Sequence, residues 1–500
     1  MHSFKKFFFL TLILNIVVHA QNETDALRYA LFDNYNTAGI SSLGGAGGLL
    51  SPSHNPASLG FFGGTQQEKQ VISISLGNSN KTMESNYLNQ HTIRETPPDI
   101  IPFIQNIGYA YSKPIKNSNW DRINMCLSFN KKRDFNQEVV INGFNSNSSL
   151  STLFLQNSQG LTPDELDPWS DYLAFFTYLT DTIANWNGTG SNTSYFSYVN
   201  NIGQNQTIFI NEEGAIHEMD ITLSSAYNNF LFIGASIGIT SIDFYQRTSY
   251  LEDEFDAKSN EIESFQYNQY LKVNGDGVNL KFGAFIKPIS FKKNNMGLHL
   301  RTGWAYHSKT YNSLEEVYET SMQTIFENGD IFDANSPTNL FNYDLNTPAK
   351  SISSIAIIGN LKKINFLTTF DYEAIDYGSS ELHSAYYSFN SENDNISNFY
   401  ARTNNTKLGV SVSLNNISFR GGYSIFESPY TDGLNDGKRK YLTTGIGLKY
   451  DNWVFDISLI QCTSKEDYIV YRDNSISNPD QIASINNQNN MVIATCSFTF

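Results

Sequence analysis

The chain ends on an alternation. In "MVIATCSFTF", Val492, Ala494, Cys496, Phe498 and Phe500 share one face, and Ile493, Thr495, Ser497 and Thr499 share the other. This is the period-two pattern of a strand with one apolar side. "WVFDISLIQ" repeats it, with Trp453, Phe455, Ile457 and Leu459 against Asp456 and Ser458. So does "LTTGIGLKY", with Leu442, Ile446, Leu448 and Tyr450 against Gly445, Gly447 and Lys449. Fourteen such segments are predicted, near 70–78, 101–112, 119–130, 215–227, 230–246, 277–289, 296–309, 351–360, 364–375, 406–414, 417–427, 440–450, 453–463 and 490–500. The polar face carries charge, so it must be wet. In a soluble sandwich that face is the outside, and in a membrane barrel it is the lumen.

The connections separate the two. Asn228-Asn229, Asn415-Asn416 and Asp451-Asn452 read as tight hairpin turns, and they alternate with long connections. Short turns on one side, long loops on the other and an even strand count describe a transmembrane antiparallel β-barrel of about 14 strands. Both chain ends then fall on the short-turn side, the periplasmic side, with the long loops extracellular. The longest connection, 131–214, contains Leu173, Phe176, Leu179 and Ile183 at helical spacing, which predicts an amphipathic helix near 163–186 over the barrel mouth. That helix reads equally as a structural lid or as part of a ligand-capture surface.

Composition agrees with a membrane wall. Aromatics are 14% of the chain and charged residues only 16%, against about 25% charged in soluble domains. After the N-terminus, no apolar run reaches the ~18 residues of a membrane helix. The net charge of −16 argues against a nucleic-acid partner. Cys126, Cys462 and Cys496 form neither a disulfide framework nor a metal motif. No cofactor is expected. The start, with Lys5 and Lys6, an apolar run from Phe7 to Val18 and then Ala20, reads as a signal peptide over 1–20.

The stretch "LGGAGGLLSPSHNPASLG" (43–60) is rich in glycine, and glycine-rich loops can cradle phosphate. The Gly-Lys-Ser/Thr of a P-loop is missing, because Gly47-Gly48 leads into Leu49-Leu50. Pro52 and Pro56 spoil any dinucleotide-binding helix. What remains is a compact run of turns just before the first strand. Irregular backbone is tolerated at membrane depth when it sits inside a barrel. The reading is therefore a hatch over 21–68 that plugs the lumen of a barrel over 69–500.

These residues carry a resemblance. The segment "ALRYALFDNYNTAGISSLGGAGGLLSPSHNPASLGFF" (26–62) resembles the N-terminal hatch of the outer-membrane long-chain fatty acid transporter family (FadL-like). Its marker is a run of small residues, Gly44, Gly45, Gly47 and Gly48, followed by Asn55-Pro56-Ala57. "FNQEVVINGFN", "VNLKFGAFIKP", "LHLRTGWAYHSKTYNSLEE" and "SFRGGYSIFESPYTDG" resemble the branch often labelled haemin receptor or outer-membrane transport protein. The resemblance implies a monomeric fourteen-stranded barrel plugged by the hatch. It implies passive uptake of hydrophobic small molecules such as long-chain fatty acids, which leave laterally through the wall beside a kinked strand. It also implies outer-membrane lipid and the barrel-assembly machinery as partners, the latter reading the terminal aromatics Phe498 and Phe500.

A fatty acid needs cations for its carboxylate. Lys281, Lys287, His299, Arg301, His307 and Arg420 fall on the polar, lumenal face of their strands and are the candidates. The competing reading is that such charges simply line a barrel. A haem receptor would use His54, His299 or His307 as iron ligands. A lipid hydrolase would need a Ser–His pair, and the sequence offers neither a Gly-x-Ser-x-Gly elbow nor an evident serine for His299 or His307. No catalytic residue is therefore assigned and no enzyme is expected. A structural or adhesive barrel whose hatch never opens is the third alternative.

Overall fold

The computed structural model describes residues 23–62, 68–98, 100–183, 193–199, 202–255, 261–293, 296–431, 433 and 435–500. The segment read as a signal peptide lies outside them. Fourteen strands form the wall: β1 Lys69–Tyr87, β2 Phe103–Pro114, β3 Trp120–Asp134, β4 Gln204–Tyr227, β5 Leu231–Asp253, β6 Ile262–Lys293 and β7 Met296–His307. The circuit continues with β8 Lys350–Leu361, β9 Ile364–Asp376, β10 Arg402–Leu414, β11 Ile417–Phe426, β12 Arg439–Tyr450, β13 Trp453–Arg472 and β14 Asp480–Thr499. Each pairs antiparallel with the next, and β14 pairs with β1 from Val71↔Thr499 to Asn86↔Ser484, so the sheet closes on itself. Closure removes the free sheet edges that lipid would otherwise meet, except at a short stretch of β1 above Gly77. All fourteen strands overlap the segments predicted from alternation.

The short turns use the residues their backbone requires. Asn117, Asn228, Asn229, Asn415 and Asp451 have positive φ, the left-handed region that Asn and Asp tolerate. Lys362 takes the same conformation between β8 and β9. Beside these turns a row of aromatics faces outward. Tyr450 pairs with Trp453, and Trp453 with Phe498, with a 4.6 Å ring separation in the second pair. This is the girdle expected where a barrel leaves the hydrocarbon.

Many strands run well past the bilayer. β6 has 32 residues, whereas about 9–11 suffice to cross a membrane. Along each long strand the two faces exchange character. On β5 the lower outward residues are Ile233, Ile237 and Ile239, all exposed, while the lower lumen holds Ser236 and Thr240. Higher up, Ile242, Phe244 and Tyr250 are buried inside. Water surrounds that part, so the apolar face turns inward.

This inversion explains a difference from the sequence reading. Residues 131–214 are not one loop. β3 runs on to Asp134, a strand Gln137–Asn145 pairs with the upper part of β4, and β4 starts at Gln204. Val139, Ile141, Ile208 and Ile210 point inward there, so a search for outward apolar residues passes over them. The helix expected over 163–186 is also shorter. The helix there covers Asp171–Phe176 and ends at Thr177, and Tyr178 has positive φ. A small strand Thr180–Thr182 follows, and 184–186 lie outside the described residues. Leu173 and Leu179 are fully buried, but Phe176 and Ile183 are exposed, so the predicted helical face does not exist. The β-branched Thr177, Thr180 and Thr182 favour leaving the helix. A second helix, Leu150–Ser158, was not anticipated. Its N-cap is Ser149, and Glu252 accepts from the Leu150 backbone N–H at 2.8 Å.

The first described residues and the last lie at opposite ends of the barrel. Phe500 and the start of β1 are on the short-turn side. The first described helix, Glu23–Arg28, sits among the long connections, where Tyr400 Oη donates to the Glu23 carbonyl at 2.9 Å. From there the chain descends, with Ala26, Leu27 and Tyr29 buried in the apolar upper chamber and Leu49 and Ala57 in a second apolar cluster with Phe232 and Phe285.

Candidate functional site

From Asp33 to Phe62 the hatch winds once around the inside of the wall, meeting the strands in nearly descending order. The Ala38 N–H donates to Thr495 Oγ1 on β14 at 2.7 Å, and that of Gly44 to Thr443 Oγ1 on β12 at 2.9 Å. The Gly48 N–H donates to Asp371 Oδ2 on β9 at 2.8 Å. On β7, His307 Nε2 donates to the His54 carbonyl at 2.9 Å, and on β3 Arg122 donates to the Phe62 carbonyl at 2.9 Å. Buried backbone polar groups need partners, and the wall supplies them strand by strand.

Glycines on both surfaces make the approach possible. Gly44 and Gly45 have φ of +66° and +68°, which non-glycine residues rarely adopt. A side chain at Gly422 would strike the Gly44 backbone, and one at Gly283 would strike the Asn55 side chain. Asn55 accepts from the Ala57 N–H at 3.0 Å and caps the 3-10 turn Pro56–Phe61, with Pro56 at its first position. These are the contacts of the small-residue run and of Asn55-Pro56-Ala57.

The candidate cations are mostly engaged. Lys281 is buried and sits 2.5 Å from both Glu218 and Asp220. Arg420 donates to Asp456 at 2.6 Å. The Arg301 guanidinium lies over the Phe61 ring, 3.4 Å from its centre, and Phe61 stacks on Phe232 and Phe285. Lys287 lies at the short-turn end, where its backbone N–H, not its ammonium group, donates to the Phe230 carbonyl at 3.0 Å. His299 does have a serine after all: Ser290 Oγ is 2.9 Å from its Nδ1, across a β6–β7 pair that is not visible from local sequence. His54 is buried in the hatch, and burial together with nearby Lys407 holds its imidazole well below the usual pKa. The structure therefore does not gather the six candidates into one carboxylate cradle.

It assembles another feature that the sequence did not point to. β1 pairs with β2 only from Lys69 to Gly77, because β2 begins at Phe103. β3 pairs with β2 only up to Asn130. Above that level, Asn78 to Asn80 pair with β14 alone and Lys131 to Asp134 with β4 alone. Among the described residues no ladder joins β1 to β3, and from Lys81 upward β1 pairs instead with the strand Gln90–Thr96, so the wall has a short break at Asn78 to Asn80. Side chains span it. Lys81 Nζ reaches the Asp134 carbonyl oxygen at 3.0 Å and its carboxylate at 3.7 Å. Lys131 pairs with Asp134 at 2.9 Å and lies 3.9 Å from the centre of the Phe103 ring. A bulge at Gln105 turns its amide onto the Lys131 carbonyl at 2.8 Å. Outside, Ile100 and Ile101 are 101% and 80% exposed. Inside, a cavity of about 90 Å³ lined by Asp33, Tyr35, Lys81, Arg133 and Asp134 backs onto the break. No local signal marks Lys81 and Asp134, since the pairing depends on where β2 stops.

No family model and no curated protein matches the sequence. Among solved structures, the chain is similar to the toluene transporter TodX of P. putida, with 12% identity, a TM-score of 0.47, and 93% of this chain and 98% of that one covered. It is similar to a Pseudomonas aeruginosa FadL homologue, with 13% identity, a TM-score of 0.49, and coverage of 93% and 98%. It is also similar to the CymD monoaromatic hydrocarbon channel, with 11% identity, a TM-score of 0.45, and coverage of 94% and 99%. The fold itself rests on the closed ladder described above: the chain is a transmembrane β-barrel of fourteen antiparallel strands.

Proposed function

We propose that this chain is a monomeric outer-membrane channel for passive uptake of hydrophobic small molecules, long-chain fatty acids among them. The ligand enters from the long-connection side and leaves sideways into the bilayer between β1 and β3. The observation that carries this reading is the break in the wall above Phe103, closed by side chains rather than by a ladder. The hatch supports it, because hydrogen bonds to Thr495, Thr443, Asp371 and His307 obstruct the axial route. A lateral path also suits the ligand: each methylene kept out of water is worth about 0.8 kcal/mol. The haem reading is weaker, since His307 is committed to the hatch backbone and His299 to Ser290.

The test is a bifunctional thiol cross-linker across Lys81→Cys and Asp134→Cys in protein reconstituted in liposomes. Uptake of a labelled long-chain fatty acid should fall at least fivefold after cross-linking and recover on cleavage of a reducible linker. Unchanged uptake with the break tethered would rule out the lateral route, and liposomes no faster than empty ones would rule out transport of that ligand.

A further inference from the structure

The outward face of β12, β13, β14 and β1 is ordered in rows by the strand register. Next to the short turns lies the row Tyr450, Trp453, Phe498 and Ile72. Then come Leu448, Phe455, Cys496 and Ile74, next Ile446, Ile457, Ala494 and Leu76, and above them Thr444, Leu459, Val492 and Asn78. The next row, Leu442, Gln461, Asn490 and Asn80, is half polar, and Lys440, Thr463, Gln488 and Thr82 is wholly polar. The hydrocarbon boundary on the long-connection side therefore crosses this wall near Leu442.

Two clefts straddle that boundary on the same four strands. The lower, about 730 Å³, is lined by Leu442, Leu459 and Val492, with Asn80, Gln461 and Asn490 at its upper rim, and Pro98 overhangs it. The upper, about 290 Å³, contains Lys438, Lys440 and Lys465 together with Thr82, Asn486 and Gln488. Lys438 is taken by Glu427 at 2.9 Å. Among the described residues Lys440 and Lys465 have no ion-pair partner, although Glu84 and Asp436 share the cleft. Glu84 is two strands from Lys465 in the row Lys465, Asn486 and Glu84.

We propose that this stretch of wall binds one phosphorylated lipid of the surrounding leaflet, its acyl chains in the lower cleft and its phosphate on Lys440 and Lys465. Charge complementarity and depth single out this occupant. A soluble anion gains nothing from the apolar cleft below, and an uncharged hydrocarbon gains nothing from the lysines above. Lysine is a point-charge phosphate binder with three donors, and the amides of Asn486 and Gln488 supply further donors to phosphate oxygens. The carboxylates of Glu84 and Asp436 bias the site toward headgroups that also carry an ammonium group. The site borders the part of β1, Asn78 to Asn80, that has lost its β2 partner, so a bound lipid shields the wall beside the break. It is independent of the lumenal ligand.

Native mass spectrometry of barrels purified in mild detergent from bacterial membranes tests this. The wild type should retain one phosphorus-containing lipid, and Lys440→Glu with Lys465→Glu should retain at least fivefold less. Lys362→Glu with Lys363→Glu, on the opposite rim, should leave retention unchanged. Folding is checked for each by heat-modifiable migration in gels, and Lys440→Gln with Lys465→Gln repeats the measurement with less disturbance. Equal retention in the Lys440/Lys465 variants, or equal loss in the Lys362/Lys363 control, overturns the proposal.

Discussion

Lys81 on β1 and Asp134 at the end of β3 meet across a gap in the sheet, with Lys81 Nζ 3.0 Å from the Asp134 carbonyl oxygen. Both are buried, and 53 residues separate them along the chain. The pair sits just above the stretch Asn78 to Asn80 that has β14 as its one ladder partner, at the level where Lys81 comes into register with Thr96 of the strand Gln90–Thr96.

Removing that pair should loosen the wall. Lys81→Met leaves Asp134 with Lys131 as its remaining ion-pair partner among the described residues. Unpairing one side of a buried charge costs about 3–5 kcal/mol; Lys131 still compensates Asp134, so a loss nearer 1–2 kcal/mol is expected. The checks are the urea midpoint and the rate of fatty acid uptake in liposomes, which should fall and rise respectively.

The glycine pair on β11 separates packing from backbone freedom. Gly422 faces the hatch and has no room for a side chain, whereas at neighbouring Gly421 the nearest atom, the Thr443 carbonyl oxygen, is 3.9 Å from where a Cβ would be. Gly422→Val should cost about 1–3 kcal/mol by overpacking and expose the hatch to added protease. Gly421→Val should do neither. Equal protease sensitivity of the two variants would show that the hatch is not packed on this wall.

The cap over the long-connection end should respond to pH. Burial, reinforced by Asp167, pushes the Asp171 carboxyl up to about 7. The folded state therefore holds a proton that the unfolded chain releases near pH 4. The contribution to stability is full below that value and is lost as pH rises toward 7. Protection factors of the amides of the helix Asp171–Phe176, corrected for the intrinsic pH dependence of exchange, should be higher at pH 5 than at pH 8, and Asp171→Asn should abolish the difference.

The terminal aromatics should govern assembly. Phe498 packs on Trp453, with ring centres 4.6 Å apart, and stacks on Phe500. Phe500→Ser is expected to reduce the yield of folded barrel in the membrane severalfold while leaving in vitro stability within about 1 kcal/mol, since Phe500 is 55% exposed. Membrane yield and the thermal midpoint of the refolded protein check the two halves separately.

The strands within the bilayer could be read from the chain because two solvents act on the two faces of one strand. Leu459 and Ile457 must meet lipid and Ser458 and Asp456 must meet the lumen, so a period-two alternation is imposed residue by residue. The turns at Asn228, Asn415 and Asp451 were legible for an equally local reason, since their left-handed backbone restricts the residue type. Above the membrane that contrast reverses, and Val139, Ile141 and Ile208 face inward, so the same pattern no longer marks a wall.

The lumenal roles were decided elsewhere. Alternation put Lys281, Arg301, His307 and Arg420 on the inner face, but what each touches depends on strands and hatch segments far away in sequence. Glu218 claims Lys281, Phe61 sits under Arg301, the His54 carbonyl accepts a hydrogen bond from His307, and Asp456 claims Arg420. The sequence by itself determined the barrel, its turns, its lipid-facing residues and the presence of a compact glycine-rich segment ahead of β1, because each is enforced by local chemistry against a fixed environment. Only the tertiary structure decided the path of that segment around the wall, the break where β2 stops short, and the meeting of Lys81 with Asp134. Those depend on register and closure, which are set by all fourteen strands together.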